Sequence, residues 1–270
     1  MEMLALPTVT LLCVETRDPK LAHWAIERCW AGTTFAKTVL ITSLEKVKER
    51  KAGIEYAQAP AIKSIKDYSE LLLSGLRQYV EGTHVLVIQW DSFVIHPELW
   101  TDEFLNYDYI GAVWPHHPQA PVGNGGFSLR SSKLLKAIED DRFVKKHPED
   151  YCICVENKAF LERECGIQFA PVALAEQFAV ERTPWHRAFG FHGFFNFAFV
   201  LNDAEFAEFM RLSDTHVYGG LDSYDLAFEL IKLKKFSAAK MIGERIQFHW
   251  KFRRQFLKLK LILFKLKICH

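Results

Sequence analysis

Val85-Leu86-Val87-Ile88-Gln89-Trp90-Asp91-Ser92 sets four consecutive apolar residues directly ahead of a carboxylate. An unbroken run of branched aliphatic side chains, with no polar alternation, is what a strand buried on both faces requires. Such a strand belongs in a parallel sheet covered by helices. It delivers Gln89, Trp90 and Asp91 to the sheet's carboxyl edge, where open α/β sheets bind their ligands. Packing gives no reason for an ionised group there, so Asp91 is the first candidate for chemistry. A turn-capping aspartate is the purely structural alternative.

Outward from this strand the chain alternates between strand and helix patterns. Residues 9–14 form another buried run, bounded by Pro7 and by the polar stretch Glu15-Thr16-Arg17-Asp18-Pro19. Residues 20–30 have helical spacing with Pro19 near their start. Strands are predicted over 37–42 and 54–57, and a helix over 65–80 that Gly82 closes. Beyond Asp91, strands are expected at 109–114 and 127–130, with a helix from Ser131 or Ser132 to about residue 138. Helices follow over 150–164, 203–211 and 224–233, a strand over 167–170 and a loop over 183–193. The alternation predicts an α/β fold with a mostly parallel central sheet flanked by helices. No repeat or linker divides residues 1–243, which read as a single domain.

Residues 244–270 read as a basic C-terminal tail. From Arg245 onward stand Lys251, Arg253, Arg254, Lys258, Lys260, Lys265 and Lys267, with Trp250, Phe252, Phe256 and Phe264 among them and no acidic residue. A basic, aromatic-bearing segment points to an anionic membrane surface; an element packed on the domain with its lysines in water is the alternative. The alternation Leu257-Lys258-Leu259-Lys260-Leu261 suits a strand as well as a helix.

A formal net charge of +1 over 270 residues excludes a general polyanion binder, so nucleic acid is not an expected partner. The six cysteines include no CxxC pair, and neither a zinc site nor a disulfide framework is indicated. With no basic start followed by a long apolar run, a cytoplasmic protein with reduced thiols is expected, peripheral on the membrane's inner face if the tail docks there.

Four features carry possible chemistry. Asp91 can ligate a hard divalent cation that also binds phosphates. Gly123-Asn124-Gly125-Gly126 allows close approach of bare backbone to a sugar ring, with Trp114 at the preceding strand end as a stacking face; a strand follows the glycines, which disfavours a dinucleotide site. Glu149-Asp150 sits at a helix start, where the pair either caps the helix or supplies a general base. His192, between Gly190-Phe191 and Gly193, can ligate a metal; a buried, hydrogen-bonded histidine is its structural alternative.

The order of these features resembles the GT-A glycosyltransferases: a strand ending in Asp, then a Gly-Gly strand, an acidic pair and a late, glycine-flanked His. The resemblance covers roughly residues 8–196 and is nearest to a group of single-domain bacterial GT-A-like proteins. That family carries a DxD motif after its central strand; Gln89-Trp90-Asp91 keeps the second Asp and has Gln89 in place of the first. The resemblance implies that Asp91 and His192 hold a divalent metal, Mn or Mg, on the donor diphosphate, and that Gln89 hydrogen-bonds the ribose or sugar. It puts Glu15 and Thr16 at the nucleotide base, and Trp114, Asn124, Gly125 and Gly126 at the sugar and acceptor. Asp150, beside Glu149, would be the base of an inverting displacement. The partners implied are a nucleotide-sugar donor, UDP-sugars being favoured, and a glycan or glycolipid acceptor in surface glycan synthesis. A nucleotidyltransferase would want a glycine-rich phosphate loop where Glu15-Thr16-Arg17-Asp18-Pro19 stands. A non-catalytic sugar- or nucleotide-binding module of the same fold is the alternative from another class.

Overall fold

Strand β1 (Leu4–Val14) leads into helix α1 (Pro19–Trp30), which returns the chain to β2 (Thr33–Thr42) in parallel register, Leu11 opposite Thr38 and Val14 opposite Ile41. The computed structural model describes residues 3–268, with side chains to residue 265. The predicted start of β1 at residue 9 is too late. Pro7, which reads as a boundary, sits instead at a register shift between Leu6 and Thr10, where a missing N–H breaks no ladder bond.

β3 (Glu55–Gln58), α2 (Ile65–Ser74), β4 (His84–Ile88), β5 (Ser92–Val94) and β6 (Tyr109–Ile110) follow, then β7 (Phe127–Ser131) and α3 (Ser132–Ala137). The main sheet runs β3-β2-β1-β4-β7-β6: the first four strands are parallel, and β7 enters antiparallel to both β4 and β6. The architecture is therefore α/β with a mostly parallel central sheet flanked by helices. β4 is buried along its whole length, as its unbroken apolar run requires.

Several expected elements differ. α2 stops at Ser74, where Gly75 takes the C-cap, rather than near Gly82; Ser64 and Asp67 form a capping box at its start. The strand expected at 109–114 is paired only at Tyr109 and Ile110, because the chain then turns to bridge Val113 with Val122. The helix expected over 150–164 is broken in two. α4 (Glu149–Tyr151) runs into a π-helical turn (Cys152–Glu156), and α5 (Lys158–Cys165) restarts after Asn157. Asn157 is buried and its amide nitrogen donates to the carbonyls of Cys152 and Val144, diverting backbone acceptors from the helix ladder. Residues 167–170 make only a bridge, Phe169 to Tyr109.

Helix α6 (Val172–Phe178), β8 (Ala179–Val180) and β9 (Gly190–His192) complete the first compact unit, residues 1–192. β5, β9 and β8 make a small second sheet whose short strands are not predicted from the sequence. The second unit, residues 193–270, is helical: α7 (Phe197–Val200), α8 (Asp203–Leu212), α9 (Leu221–Lys232), α10 (Phe236–Arg245) and α11 (Arg253–Ile268). Its core holds Phe206, Phe209, Leu226, Leu230, Ala239, Ile242 and Leu259, all fully buried. The ambiguous C-terminal alternation is thus resolved as a helix.

Candidate functional site

The carboxyl edge of the main sheet, extended by the small sheet, gathers the residues singled out from sequence. Directly after β4 the chain turns: the Ser92 hydroxyl accepts from the Gln89 N–H (2.8 Å) and donates to the Gly126 carbonyl (2.6 Å). This pins Gln89 and Asp91 beside the glycine stretch. β5 then pairs antiparallel with β9 in the register Ser92 opposite His192. That pairing is what carries His192 to Asp91 across a hundred residues of sequence. Its Nε2 lies 3.7 Å from Asp91 Oδ1 and 3.2 Å from Gln89 Oε1. β8 runs parallel to β9, Val180 opposite Phe191, so Glu181 arrives next to His192 with Oε1 3.2 Å from Nδ1.

Asn124 is held in the left-handed region (φ 70°), with its Oδ1 accepting from the backbone N–H groups of Gly126 (3.0 Å) and Phe127 (3.1 Å). Its amide nitrogen must therefore face the imidazole, 2.9 Å from Nδ1. The ring has partners for either tautomer. With the proton on Nε2, Asn124 donates to Nδ1 and Gln89 accepts from Nε2. With the proton on Nδ1, Glu181 accepts it, and the Nε2 lone pair is turned toward Asp91 and Gln89. Only the second arrangement lets Nε2 ligate a cation, and a carboxylate behind the imidazole is the partner that favours it. Burial pushes the Glu181 carboxyl up, but its hydrogen bond and charge interaction with His192, together with a hydrogen bond from Asn124, outweigh this and hold it below the ordinary value.

Gly125 and Gly126 have no room for side chains. A Cβ on Gly125 would meet Glu149 Oε1 at 2.0 Å, and one on Gly126 would meet His192 Nε2 at 2.2 Å. The acidic pair thus lies against one glycine and the imidazole against the next. Glu149 and Asp150 are differently held. Glu149 is buried and pairs with Arg130, which has no exposed surface (Nη2 to Oε1 3.3 Å). Burial and then the neighbouring Asp150 charge push the Glu149 carboxyl up, and Arg130 opposes them. Asp150 is half-buried; its Oδ2 accepts from the Gly125 N–H (3.1 Å) and its Oδ1 from the Tyr151 N–H (2.8 Å). Each carboxylate oxygen retains an unused acceptor position.

A family profile described as "Protein of unknown function (DUF5672)" matches residues 51–192, just over half of the chain. The chain belongs to that family. The matched segment ends on His192 and contains every cluster residue described so far. Among solved structures, a glycosyltransferase involved in glycosylation of the major capsid of PBCV-1 aligns at 11% identity over 69% of this chain and 92% of its own, with a TM-score of 0.42. The apo-form glycosyltransferase GlyE of Streptococcus pneumoniae TIGR4 aligns at 10% identity over 87% of this chain and 64% of its own, TM-score 0.42. The bifunctional IspDF of Campylobacter jejuni aligns at 14% identity over 60% of this chain, TM-score 0.41; the DUF5672 chain spans 48% of its length. No curated protein matches the sequence.

Beside the cluster lies a cavity of about 370 Å³, within the range of small-molecule sites. The loop after β1 contributes Glu15, Thr16 and Arg17 to its wall, the start of α2 contributes Ser64 and Tyr68, and the end of β4 contributes Gln89 and Trp90. Both residues expected at a nucleotide base therefore line a real cavity. Glu15 is fixed there because its Oε1 accepts from the N–H groups of Arg17 (2.6 Å) and Asp18 (3.0 Å). Gln89 links cavity and cluster, its Nε2 donating to the Tyr68 hydroxyl (2.9 Å) while Oε1 faces His192. Trp114 is buried at 7% exposure, its ring packed on Gly123, so it forms a wall and offers little open face for stacking.

Sequence reasoning missed Glu181, the role of Tyr68 and the pairing of Arg130. Glu181 follows a two-residue strand that leaves no periodic signal. Arg130 carries one: a charge on a fully buried strand must have a partner. Among the described residues, no three His, Cys, Asp or Glu side chains converge as a ready-made metal set.

Proposed function

We propose that this chain is a glycosyltransferase that moves a sugar from a nucleoside-diphosphate donor to a hydroxyl acceptor with inversion, assisted by a divalent cation. The observation that carries the reading is the glycine pair: Gly125 touches the acidic pair and Gly126 touches His192. Successive Cα atoms are only ~3.8 Å apart, so two adjacent glycines, each covered by one group, set the acidic pair and the phosphate-side cluster side by side.

The donor set supports a hard cation shared with phosphates rather than a closed protein site. Asp91 Oδ1 and His192 Nε2 face one another at 3.7 Å, and Gln89 Oε1 adds a neutral oxygen. Mg or Mn held by one or two protein groups, completed by diphosphate oxygens and water, needs no more. Such an ion would supply charge neutralisation on the departing nucleoside diphosphate. Glu181 supplies the acceptor for an Nδ1 proton in the His192 tautomer that ligation requires.

The nucleoside is assigned to the cavity, with its base near Glu15 and Thr16. Arg17 and Lys63 at the same cavity carry positive charge suited to the diphosphate. Asp150 accepts the acceptor hydroxyl's proton, and the Gly125 N–H steers its Oδ2. A UDP-sugar is the favoured donor and a glycan or glycolipid the acceptor class, both by family resemblance.

The test is calorimetry with UDP, with and without manganese, combined with a donor screen read by released diphosphate. Manganese-enhanced UDP binding that Asp91→Ala abolishes is expected. Wild-type affinity in that variant would remove Asp91 from the site, and donor binding without turnover on any acceptor would favour a binding module.

A further inference from the structure

Helix α11 buries one side only. Leu259 and Leu263 are buried, packed at Gly243 of α10; a methyl group there would sit 2.4 Å from Leu263 Cδ1. Lys260 donates to the Gly243 carbonyl (2.9 Å) from the same side. The opposite side carries Leu257, Leu261 and Phe264, exposed by 65%, 56% and 62%. At 100° per residue these three fall within an arc of about 60°. Phe248 (54% exposed) and Trp250 (70%), the first residue of the turn Trp250–Phe252 that leads into the helix, carry further apolar surface.

Charge frames this stripe. On the helical wheel Arg253 borders it on one side and Arg254 and Lys265 on the other, all three exposed. Arg253 also lies over the Trp250 ring at 4.9 Å. Seven of the chain's 34 basic residues lie in residues 246–270, where no acidic residue occurs; against 33 acidic residues in all, the rest of the chain is net negative.

We propose that this face of α11 lies flat on an anionic lipid surface. An exposed apolar stripe framed by basic side chains is what an interfacial helix needs. The apolar groups enter the headgroup boundary while Lys and Arg reach anionic headgroups along their aliphatic stems. A second copy of this chain is the poorer occupant, since pairing two such faces would set like charges against each other. The helix lies on the surface and does not cross it: sixteen residues span about 24 Å, short of a ~30 Å hydrocarbon core. Among the described residues no helix is long and apolar enough to cross a membrane.

The experiment is co-sedimentation of the full chain with phosphatidylcholine vesicles, alone or with about a third phosphatidylglycerol, at low and high salt. Binding to the anionic vesicles only, weakened by salt, is expected. Arg254→Gln with Lys265→Gln should weaken it about 30-fold, at roughly a factor of five per basic group near an anionic surface. Leu257→Gln with Leu261→Gln should weaken it further, and since both side chains are exposed, circular dichroism should be unchanged. No binding to anionic vesicles, equal binding to neutral ones, or a lipid-independent dimer dispersed by the leucine variant would each overturn the proposal. The readout does not depend on sugar transfer, so it stands or falls apart from the enzymatic reading.

Discussion

Replacing Gly126 by Ala tests whether His192 belongs to the ligand site, and the structure fixes the size of the perturbation. The new methyl would lie 2.2, 2.3 and 2.6 Å from Nε2, Cδ2 and Cε1 of the imidazole. Ordinary contact begins near 3.4 Å, so the ring must retreat by about 1.2 Å. Because three ring atoms are struck together, rotation about its own axis gives no relief. Retreat displaces the ring relative to its partners Asn124 Nδ2 (2.9 Å), Glu181 Oε1 (3.2 Å) and Gln89 Oε1 (3.2 Å). Forced overpacking of this kind, relieved in part by backbone adjustment, costs about 1–3 kcal/mol. That corresponds to a melting temperature lower by roughly 2–10 °C for a chain of this size. The functional effect is larger where it is specific. Misplacing one ligand should cut manganese-enhanced UDP affinity about 10- to 100-fold, while manganese-free binding in the cavity at Glu15 and Thr16 changes little. Calorimetry with and without manganese, beside thermal unfolding, reads both. An unchanged manganese enhancement in a variant that does lose stability would show that the displaced imidazole takes no part in ligation.

Three further outcomes follow from particular contacts. Asp150→Asn preserves size and should keep donor affinity while lowering transfer at least 100-fold, measured as diphosphate release with a competent acceptor; turnover equal to wild type removes Asp150 as base. Glu181→Gln keeps a hydrogen-bond acceptor for His192 but not the charge, and should weaken manganese-dependent UDP binding about tenfold or more, with little change without metal. Stability should fall as pH drops from about 7.5 to 5.5. Burial holds both His23 and His84 below the ordinary value of 6.5, so the unfolded chain takes up their protons first, and the stability present above that value is lost as pH falls through the lower, folded values. The Tyr56 hydroxyl accepts from the Lys51 N–H and lies 2.9 Å from His23 Nε2, while His84 sits between the Thr83 hydroxyl and the Tyr107 carbonyl. A His23→Gln, His84→Gln double variant should flatten that slope in thermal melts, and an unaltered slope would assign the titration elsewhere.

What sequence reading could recover depended on whether a signal was local. β4 was legible because a strand buried on both faces needs an unbroken apolar run, and a residue just past its end needs no further information to be placed at the sheet edge. Gln89, Asp91, Gly125, Gly126 and the acidic pair are all placed by such neighbours. His192 was legible as a candidate but not as a partner. Its meeting with Asp91 depends on the pairing of β5 with β9, strands of three residues each. Glu181 depends on β8, which has two. Strands that short carry no period, and their register is set by the structure around them. α11 shows the ambiguity that alternation leaves: Leu and Lys in turn fit a strand as well as a helix, and packing selects Leu259 and Leu263 at helical spacing while leaving Leu257 and Leu261 outside.

The division of labour in the acidic pair follows from the same kind of long-range placement. Adjacent carboxylates are equivalent in sequence, and only their surroundings separate them. Arg130 reaches from β7 to Glu149, and its Nε and Nη2 are engaged by the Ser128 hydroxyl (3.0 Å) and the Gly125 carbonyl (3.3 Å). The guanidinium thereby ties the acidic helix start to the glycine stretch from inside the fold. A buried ion pair of this kind contributes little net stability, but removing one partner leaves an uncompensated charge at a cost of about 3–5 kcal/mol. Glu149 therefore works as an anchor: it fixes where α4 begins, and so where Asp150 stands relative to the Gly125 N–H. Asp150 is held by backbone donors and half-open to solvent, the surroundings that the proposed role as base requires. Of the two, the carboxylate without the arginine is the one we propose as the base.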